Sequence, residues 1–340
     1  MYKFRNDYSE GMHPAILEKI VDTNMNQTVG YTEDEYCLRA SEQIKAHIEQ
    51  PNADVHFFVG GTQTNLTALS AFLRPHEAII SAVSGHIFVH ETGAIEATGH
   101  QIITIPHKSG KISADDVSEV LCRYAGPHMV KPRLVYISNS TEYGAVYSLE
   151  ELKSLREICL ANDLLLYLDG ARLAVALTAS GNDMTIADVA KYTDAFYIGG
   201  TKNGAMFGEA LVIVNETLQA DFKYLIKQRG ALLAKGRLLG IQFETLFENN
   251  LFYELGARAN SLASRLSEGI ESAGVRLFVP TETNQIFLIV SHTQLGELEK
   301  HYDFEMWEKY DEYHEVIRFV TSWATDEKYI DEVVQLLKTL

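Results

Sequence analysis

Seven short runs of β-forming, largely apolar residues punctuate the chain between residues 55 and 214, and helical stretches fill most of the gaps. The runs are Val55–Val59, Ala78–Val83, Gln101–Ile105, Arg133–Ile137, Leu164–Leu168, Ala195–Ile198 and Ala210–Val214. Runs that stay apolar instead of alternating belong to strands covered on both faces, and strand–helix alternation argues for a mostly parallel, doubly wound α/β sheet. The last run begins too soon after Ile198 for a helical crossover and is expected to run antiparallel. Such a sheet gathers ligands outside the carboxyl ends of its strands, so the residues just past each run carry the functional reading.

Past Ala195–Ile198 comes GGTKNGAMFG, with Lys202 at the mouth of a glycine-rich turn. A lysine there is often a solvated loop residue. Where it is partly desolvated, its ammonium is disfavoured and its amine becomes a nucleophile able to form a Schiff base. Past Leu164–Leu168 come Asp169 and Arg172, 33 residues before the lysine, a gap that fits one crossover helix and a return to the same sheet edge. An amine that can form an imine, with a carboxylate placed to keep a pyridine nitrogen protonated, is what pyridoxal phosphate asks of a protein. A local salt bridge capping the next helix is the competing account of Asp169 and Arg172.

Past Val55–Val59 come Gly60, Gly61, Thr62, Gln63, Thr64 and Asn65, then an apolar helix. Glycines admit backbone N–H groups close to an anion, and the positive end of the helix favours one. This is a candidate phosphate cup, though plain turn and cap chemistry uses the same residues. Past Ala78–Val83 come His86, His90 and Glu91. The two histidines would share a helix face, but the zinc-protease pattern puts its glutamate directly after the first histidine and no third ligand is evident, so no metal is expected. His86 suits a ring lying on an aromatic cofactor and acting as a base near neutral pH; His90 reads as an ordinary helix histidine.

Composition excludes several classes. A formal charge of −17 has the wrong sign for a nucleic-acid surface or an anionic membrane. Cys37, Cys122 and Cys159 are widely spaced, an odd number without a CxxC pair, which argues against a disulfide scaffold and for a reducing compartment. No apolar run approaches a membrane span, and MYKFRNDYSEGMHP lacks a signal peptide's apolar core, so a cytoplasmic protein is expected. The loop NMNQTVGYTEDEY holds Tyr31 and Asp34. From about Leu232 to Ala273 the chain reads as helical, and two further strands, Asn284–Val290 and Glu315–Val320, alternate with helices in a smaller α/β unit. Arg318 inside the second of these points to a paired carboxylate, either structural or substrate. The acidic, aromatic run YDFEMWEKYDEYHEV reads as solvated surface with a few anchors.

In order, FRNDYSEGMHP, VGGTQTN, SGHIFVHETGA, YLDGARL, YIGGTKNGAMFG and IRFVTSWAT resemble the successive motifs of the low-specificity L-threonine aldolases, in the aromatic amino acid β-eliminating lyase/threonine aldolase group of fold-type I pyridoxal phosphate enzymes. The resemblance spans residues 4 to about 324. It implies a large cofactor domain (21–248) with a seven-stranded, mostly parallel sheet between helices, a small C-terminal α/β domain (249–340), and an N-terminal segment (1–20) packing with the small domain and the active site. By this resemblance Lys202 is the imine-forming lysine, Asp169 the partner of the pyridine nitrogen and Arg172 the arginine near the cofactor's phenolic oxygen and the substrate. Gly61 and Thr62 match the phosphate loop, His86 the histidine stacked on the ring, and Arg318 the grip on the substrate carboxylate. Asn6 stands where the family has a serine at that carboxylate. Tyr31 matches a pocket tyrosine contributed by a neighbouring subunit, which implies a homo-oligomer, a dimer or a tetramer built from dimers sharing active sites. Thr141 stands where many members have a histidine, and Lys227, Arg229 and Lys235 are three candidates for reaching a phosphate.

The implied activity is that of a carbon–carbon aldehyde-lyase: L-threonine, L-allo-threonine and related β-hydroxy-α-amino acids are split to glycine and an aldehyde, in threonine breakdown or glycine formation. His86, or a water it positions, is the candidate base for the β-hydroxyl. Another fold-type I enzyme, a β-eliminating lyase or an aminotransferase, would share Lys202 and Asp169. A non-catalytic pyridoxal phosphate-binding homologue would bind the cofactor without turnover.

Overall fold

The computed structural model describes residues 1–107 and 109–340. After a two-residue strand β1 (Tyr2–Lys3) come β2 (Asp54–Phe58), β3 (Glu77–Ala82), β4 (Ile102–Ile105), β5 (Lys131–Ser138), β6 (Leu165–Asp169), β7 (Ala195–Gly199) and β8 (Glu209–Ile213). The last seven form one sheet in the order β2-β8-β7-β6-β5-β3-β4. Strand β8 is antiparallel to both its neighbours, and the other pairings are parallel. The short β7–β8 link is thus the hairpin its length demands.

Burial on both faces explains the uninterrupted apolar runs. Val135, Ile137, Leu166, Leu168, Phe196, Ile198 and Val212 face one core, which includes side chains of helices Glu35–His47, Leu149–Ala161 and Arg237–Phe247. Leu134, Tyr136, Leu165, Tyr167, Tyr197 and Leu211 face the other, under helix Gly61–Phe72. The expected single crossover helix between β6 and β7 is instead two short helices, Leu173–Leu177 and Ile186–Tyr192. Thr185 starts the second with a reciprocal cap to Asp188, and Asn182 ties the link by bonds to Leu177 and Met184 carbonyls.

After the turn Glu248–Asn250, helix Leu251–Ser272 leads to β9 (Arg276–Leu277), β10 (Gln285–Ser291), β11 (Tyr302–Asp303), β12 (Glu305–Lys309) and β13 (His314–Val320). Four of these make an antiparallel sheet, β12-β13-β10-β9, and β11 pairs with β1. A separate core joins Phe4 to Leu266, Ile286, Ile317, Phe319 and Val333. Residues 1–4 therefore belong with this sheet, whereas helix Pro14–Thr23 sends Ile16 into the core of the large sheet. The acidic run Tyr302–Val316 is largely solvated with a few anchors, as expected, and within it lie β12 and the first three residues of β13, with Trp307 packed edge-on against Phe287 at 5.0 Å between centroids. Helix Leu251–Ser272 is the longest helix described, and none of the described helices is long and apolar enough to cross a membrane.

Candidate active site

The strand ends converge as a parallel sheet requires. Ser138 pairs in register with Asp169 across β5–β6, and Gly199 N–H donates to Gly170 O at 2.9 Å between the ends of β6 and β7. This approach needs both glycines: a Cβ on Gly170 would lie 2.0 Å from Tyr197 O, and one on Gly199 2.2 Å from Ala171 O. Asp169 and Lys202 are held at one edge as a result.

Asp169 is 3% exposed and is surrounded by donors. Its Oδ2 accepts from the Tyr136 hydroxyl and from Asn65 Nδ2 at 3.1 Å, and its Oδ1 accepts from Ala171 N–H at 3.0 Å. Asn65 also donates to Glu91 Oε1 at 2.8 Å and accepts from the Tyr167 hydroxyl at 3.1 Å, so one carboxamide ties the two carboxylates together. Glu91 Oε1 in turn lies 2.8 Å from His86 Nδ1, and the His86 backbone N–H donates to Glu142 at 3.0 Å. With Nδ1–H given to the carboxylate, His86 presents Nε2 as an acceptor.

Lys202 borders a cavity of about 290 Å³ whose wall includes Tyr8, His86, His90, Arg172 and Arg318. Burial, then the Arg172 charge, pushes the ammonium of Lys202 down from its ordinary value, against the pull of Asp7 and Asp169. Arg172 is itself gripped by Asp7, through Nε at 2.7 Å and Nη2 at 3.1 Å. Burial would raise the Asp7 carboxyl, but Arg172 and Lys202 overcome it and bring it down to about 2.

A second cavity of about 250 Å³ shares Lys202, His86 and Tyr8 and extends to Gly60, Gly61 and Thr62. Helix Gly61–Phe72 starts here without a side-chain cap, and a Cβ on Gly61 would stand 2.9 Å from the Tyr197 hydroxyl. Thr201 and Glu209 line the same space; Glu209 accepts from the Thr201 hydroxyl at 2.8 Å and Gly200 N–H at 3.1 Å, and burial raises its carboxyl.

Arg318 reaches the first cavity from β13. It donates to Gln285 Oε1 at 2.9 Å and to the Glu305 carboxylate, and its guanidinium carbon sits 5.1 Å from the Trp307 ring centroid. Both sequence alternatives for its partner thus meet at one place: a protein carboxylate holds it, at the wall of the cavity.

Two expected site residues lie elsewhere in this chain. Asn6 is outside the cavity lining: its Oδ1 accepts from Tyr8 N–H and the Ser9 hydroxyl, each at 3.0 Å, closing its own turn, while the neighbouring Asp7 and Tyr8 point inward. Tyr31 borders a different cavity, of about 570 Å³, with Lys223, Tyr224 and Lys227, and the Lys227 ammonium lies 4.6 Å from its ring centroid. Lys227 is therefore engaged away from Lys202. Arg229 lies beside helix Gly61–Phe72, its carbonyl accepting from Gln63 at 3.4 Å, and Lys235 is exposed. Thr141 is buried and donates to Ser109 O at 2.7 Å. Conversely His90, read as an ordinary helix histidine, follows a single helical turn (His86–Val89) and lines the Lys202 cavity with Glu305 and Trp307. The sequence singled out neither Asp7 nor Glu305. Only Glu305 carries a weak local signal, an acid two residues from a tryptophan.

The β-eliminating lyase family profile matches residues 4–293. A low-specificity L-threonine aldolase of Pseudomonas sp. (strain NCIMB 10558) is 31% identical over 97% of the chain and 95% of that relative. The Pseudomonas aeruginosa low-specificity L-threonine aldolase is 29% identical over 98% of the chain and 96% of its own length. Among solved structures, a Leishmania major threonine aldolase superposes with a TM-score of 0.99 at 50% identity, covering 100% of this chain and 99% of that one.

Proposed function

From the premise that this chain belongs to the β-eliminating lyase family, within its low-specificity L-threonine aldolase group, we propose that it cleaves L-threonine and related β-hydroxy-α-amino acids to glycine and an aldehyde with pyridoxal phosphate as cofactor. It is a carbon–carbon lyase of fold type I. The observation that carries the cofactor reading is the convergence of Lys202, Asp169 and the uncapped helix start at Gly61 around connected cavities.

The residues fit that group part by part. A carboxylate surrounded by donors on its protein side, Asp169, suits a protonated ring nitrogen; an uncapped helix start with glycines at its rim suits a phosphate. Pyridoxal phosphate, when bound, supplies a carbonyl for amines and a ring that withdraws electrons from the substrate's Cα. Lys202 offers an amine whose proton is loosely held. Gly61 and Thr62 contribute backbone N–H groups and Asp169 holds the ring-nitrogen proton. Arg318, with Arg172 beside it, binds the substrate carboxylate and so fixes the amino acid's orientation. His86, its tautomer set by Glu91, receives the β-hydroxyl proton at Nε2, directly or through a water.

Tyr31 borders its own cavity beside exposed Val29 and Tyr224. This supports a homo-oligomer, dimer or dimer of dimers, in which Tyr31 completes a neighbour's site. The separate cores support residues 21–248 as the cofactor domain and 249–340 as the small domain, with residues 1–20 bridging them. We place this activity in threonine breakdown or glycine formation, and in the cytoplasm, in keeping with the free cysteines Cys37, Cys122 and Cys159.

The test is the visible spectrum of the purified protein before and after borohydride, in wild type and Lys202→Ala, with glycine and aldehyde measured from L-threonine and L-allo-threonine. A Lys202-dependent visible band with both products formed supports the assignment. A protein that takes up no cofactor refutes it, and one that binds cofactor yet makes no glycine moves it to an eliminating lyase or aminotransferase.

A further inference from the structure

Arg318 and Glu305 face each other as register partners across β13 and β12. A carboxylate binds a guanidinium best through two parallel N–H···O bonds. Arg172 illustrates this within the same cavity, giving Nε and Nη2 to Asp7. A guanidinium has two edges that allow such a grip, Nε with Nη2 and Nη1 with Nη2, and both use Nη2. In Arg318, Nη1 is given to Gln285, Nη2 to Glu305, and Nε is buried without an acceptor. Each Nη carries two N–H groups, so Glu305 leaves one on Nη2; but Nε is buried, and the open Nη1–Nη2 edge already has Gln285 on one nitrogen and the Glu305 charge on the other, which an incoming carboxylate has to meet.

A second carboxylate beside Glu305 would be repelled, and the structure distinguishes which present partner is free to move. Gln285 is 1% exposed and its own amide is tied to Thr141 O at 3.2 Å. The Glu305 side chain is 31% exposed, on the edge strand β12, where the pairing is irregular between Met306 and Glu308. Arg5 feels the Glu305 charge from nearby, so a displaced carboxylate has a cationic neighbour to turn toward. The Trp307 ring, its centroid 5.1 Å from the guanidinium carbon, gives Arg318 a contact that does not depend on Glu305.

We propose that Glu305 is a built-in stand-in for the substrate carboxylate: it neutralises Arg318 in the free enzyme, gives up Nη2 when the amino acid binds, and thereby sets substrate affinity. This rests on Arg318 being the carboxylate site of the aldolase reading. Glu305 is a positioning residue, since it acts through Arg318. The device keeps a half-buried guanidinium from standing unpaired, which is costly, and it makes every carboxylate ligand compete with an internal one.

The experiment compares wild-type, Glu305→Gln and Glu305→Asp holoenzymes, with Arg318→Leu as reference. For each, KM and kcat for L-threonine, the Kd for glycine, and the rise in Tm at saturating glycine are measured. Glu305→Gln is expected to lower both KM and the glycine Kd about fivefold, with kcat within about twofold. Glu305→Asp keeps the charge and is expected to retain wild-type KM within about twofold. The glycine-induced rise in Tm should be larger in Glu305→Gln than in wild type, a readout that survives a general loss of stability. A KM and glycine Kd that stay unchanged or rise in Glu305→Gln, while Arg318→Leu raises both, overturn the role of Glu305 alone. If Arg318→Leu itself leaves both unchanged, the carboxylate role of Arg318 is wrong, and the aldolase reading of this pocket with it.

Discussion

Replacing Asp7 with asparagine tests how the site is held together. Asp7 is 2% exposed and accepts three bonds, two from Arg172 at 2.7 and 3.1 Å and one from Asn284 at 2.9 Å. Its carboxyl falls from an ordinary 3.8 to about 2, because Arg172 and Lys202 outweigh the opposing effect of burial. At about 1.4 kcal/mol per pKa unit, that shift corresponds to about 2.5 kcal/mol of folding stability. Asparagine keeps the shape but turns an N–H₂ toward the guanidinium and leaves it without a counter-charge; breaking a buried pair in this way costs about 3–5 kcal/mol. Asp7→Asn is therefore expected to be about 3 kcal/mol less stable at pH 7 by urea unfolding. The sign of the pH dependence follows from the lowered carboxyl. Its contribution is complete above the unfolded value near 3.8 and is lost as pH falls toward about 2. The gap between wild type and variant should stay level from pH 7 to 5 and close between about pH 4 and 2. A gap below about 0.5 kcal/mol at pH 7, or one that persists undiminished through the acid range, would refute the pairing argument.

Gly61→Ala places a methyl 2.9 Å from the Tyr197 hydroxyl, and apoprotein titrated with cofactor should show about tenfold weaker uptake. Adding Tyr197→Phe removes the clashing oxygen and should restore most of that loss; additive losses would mean the glycine matters for another reason. Mixing Lys202→Ala with Tyr31→Ala subunits under exchange conditions should regenerate about a quarter of wild-type activity if each site takes Tyr31 from a neighbour, since half of random dimers are hybrids with one intact site. Activity no higher than that of the separate variants would place Tyr31 outside shared sites. The formal charge of −17 opposes long-range approach of an anionic phosphate ligand, so the stopped-flow rate of cofactor capture by apoprotein should rise with ionic strength. A rate that falls with salt would show that the local cations dominate the field instead.

The large sheet was legible because a strand covered on both faces has to be apolar throughout, and Tyr136, Tyr167 and Tyr197 on one face with Val135, Leu168 and Phe196 on the other show that rule at work. The positions of Lys202, Asp169 and His86 followed from the sheet, since each sits just past a strand. Asp7 was not legible, as its partner Arg172 is 165 residues away and nothing local distinguishes it from a solvated acid. Glu305 and Trp307 were hidden for a related reason. A run dense in acids reads as surface unless the cross-strand partner is known, and the register that puts Glu305 against Arg318 exists only in the folded sheet. Motif position alone does not place Tyr31 and Asn6: Tyr31 borders another cavity of its own chain, as a residue meant for a neighbour's site would, and Asn6 closes its own turn beside the inward-facing Asp7.

These long-range partners share a pattern that bears on how the site forms. Asp7 lies in the N-terminal segment, Arg172 follows β6 of the large sheet, and Asn284 opens β10 of the small one; a single carboxylate binds all three parts. Asn284 also donates to Thr321 O at 2.8 Å, just past the strand that carries Arg318. The guanidinium next to Lys202 and the guanidinium opposite Glu305 are thus linked through Asp7 and Asn284 by four hydrogen bonds and the backbone from Thr321 to Arg318. The large sheet supplies the groups that would hold the cofactor, whereas Arg318 comes from the small sheet. Because Arg172 is charged and buried, its pairing with Asp7 is satisfied in the arrangement where the small sheet is seated beside Lys202. The surroundings of Lys202 and of Arg318 are consequently joined through the same ion pair, and residues 1–12, which carry Asp7, are the segment that joins them.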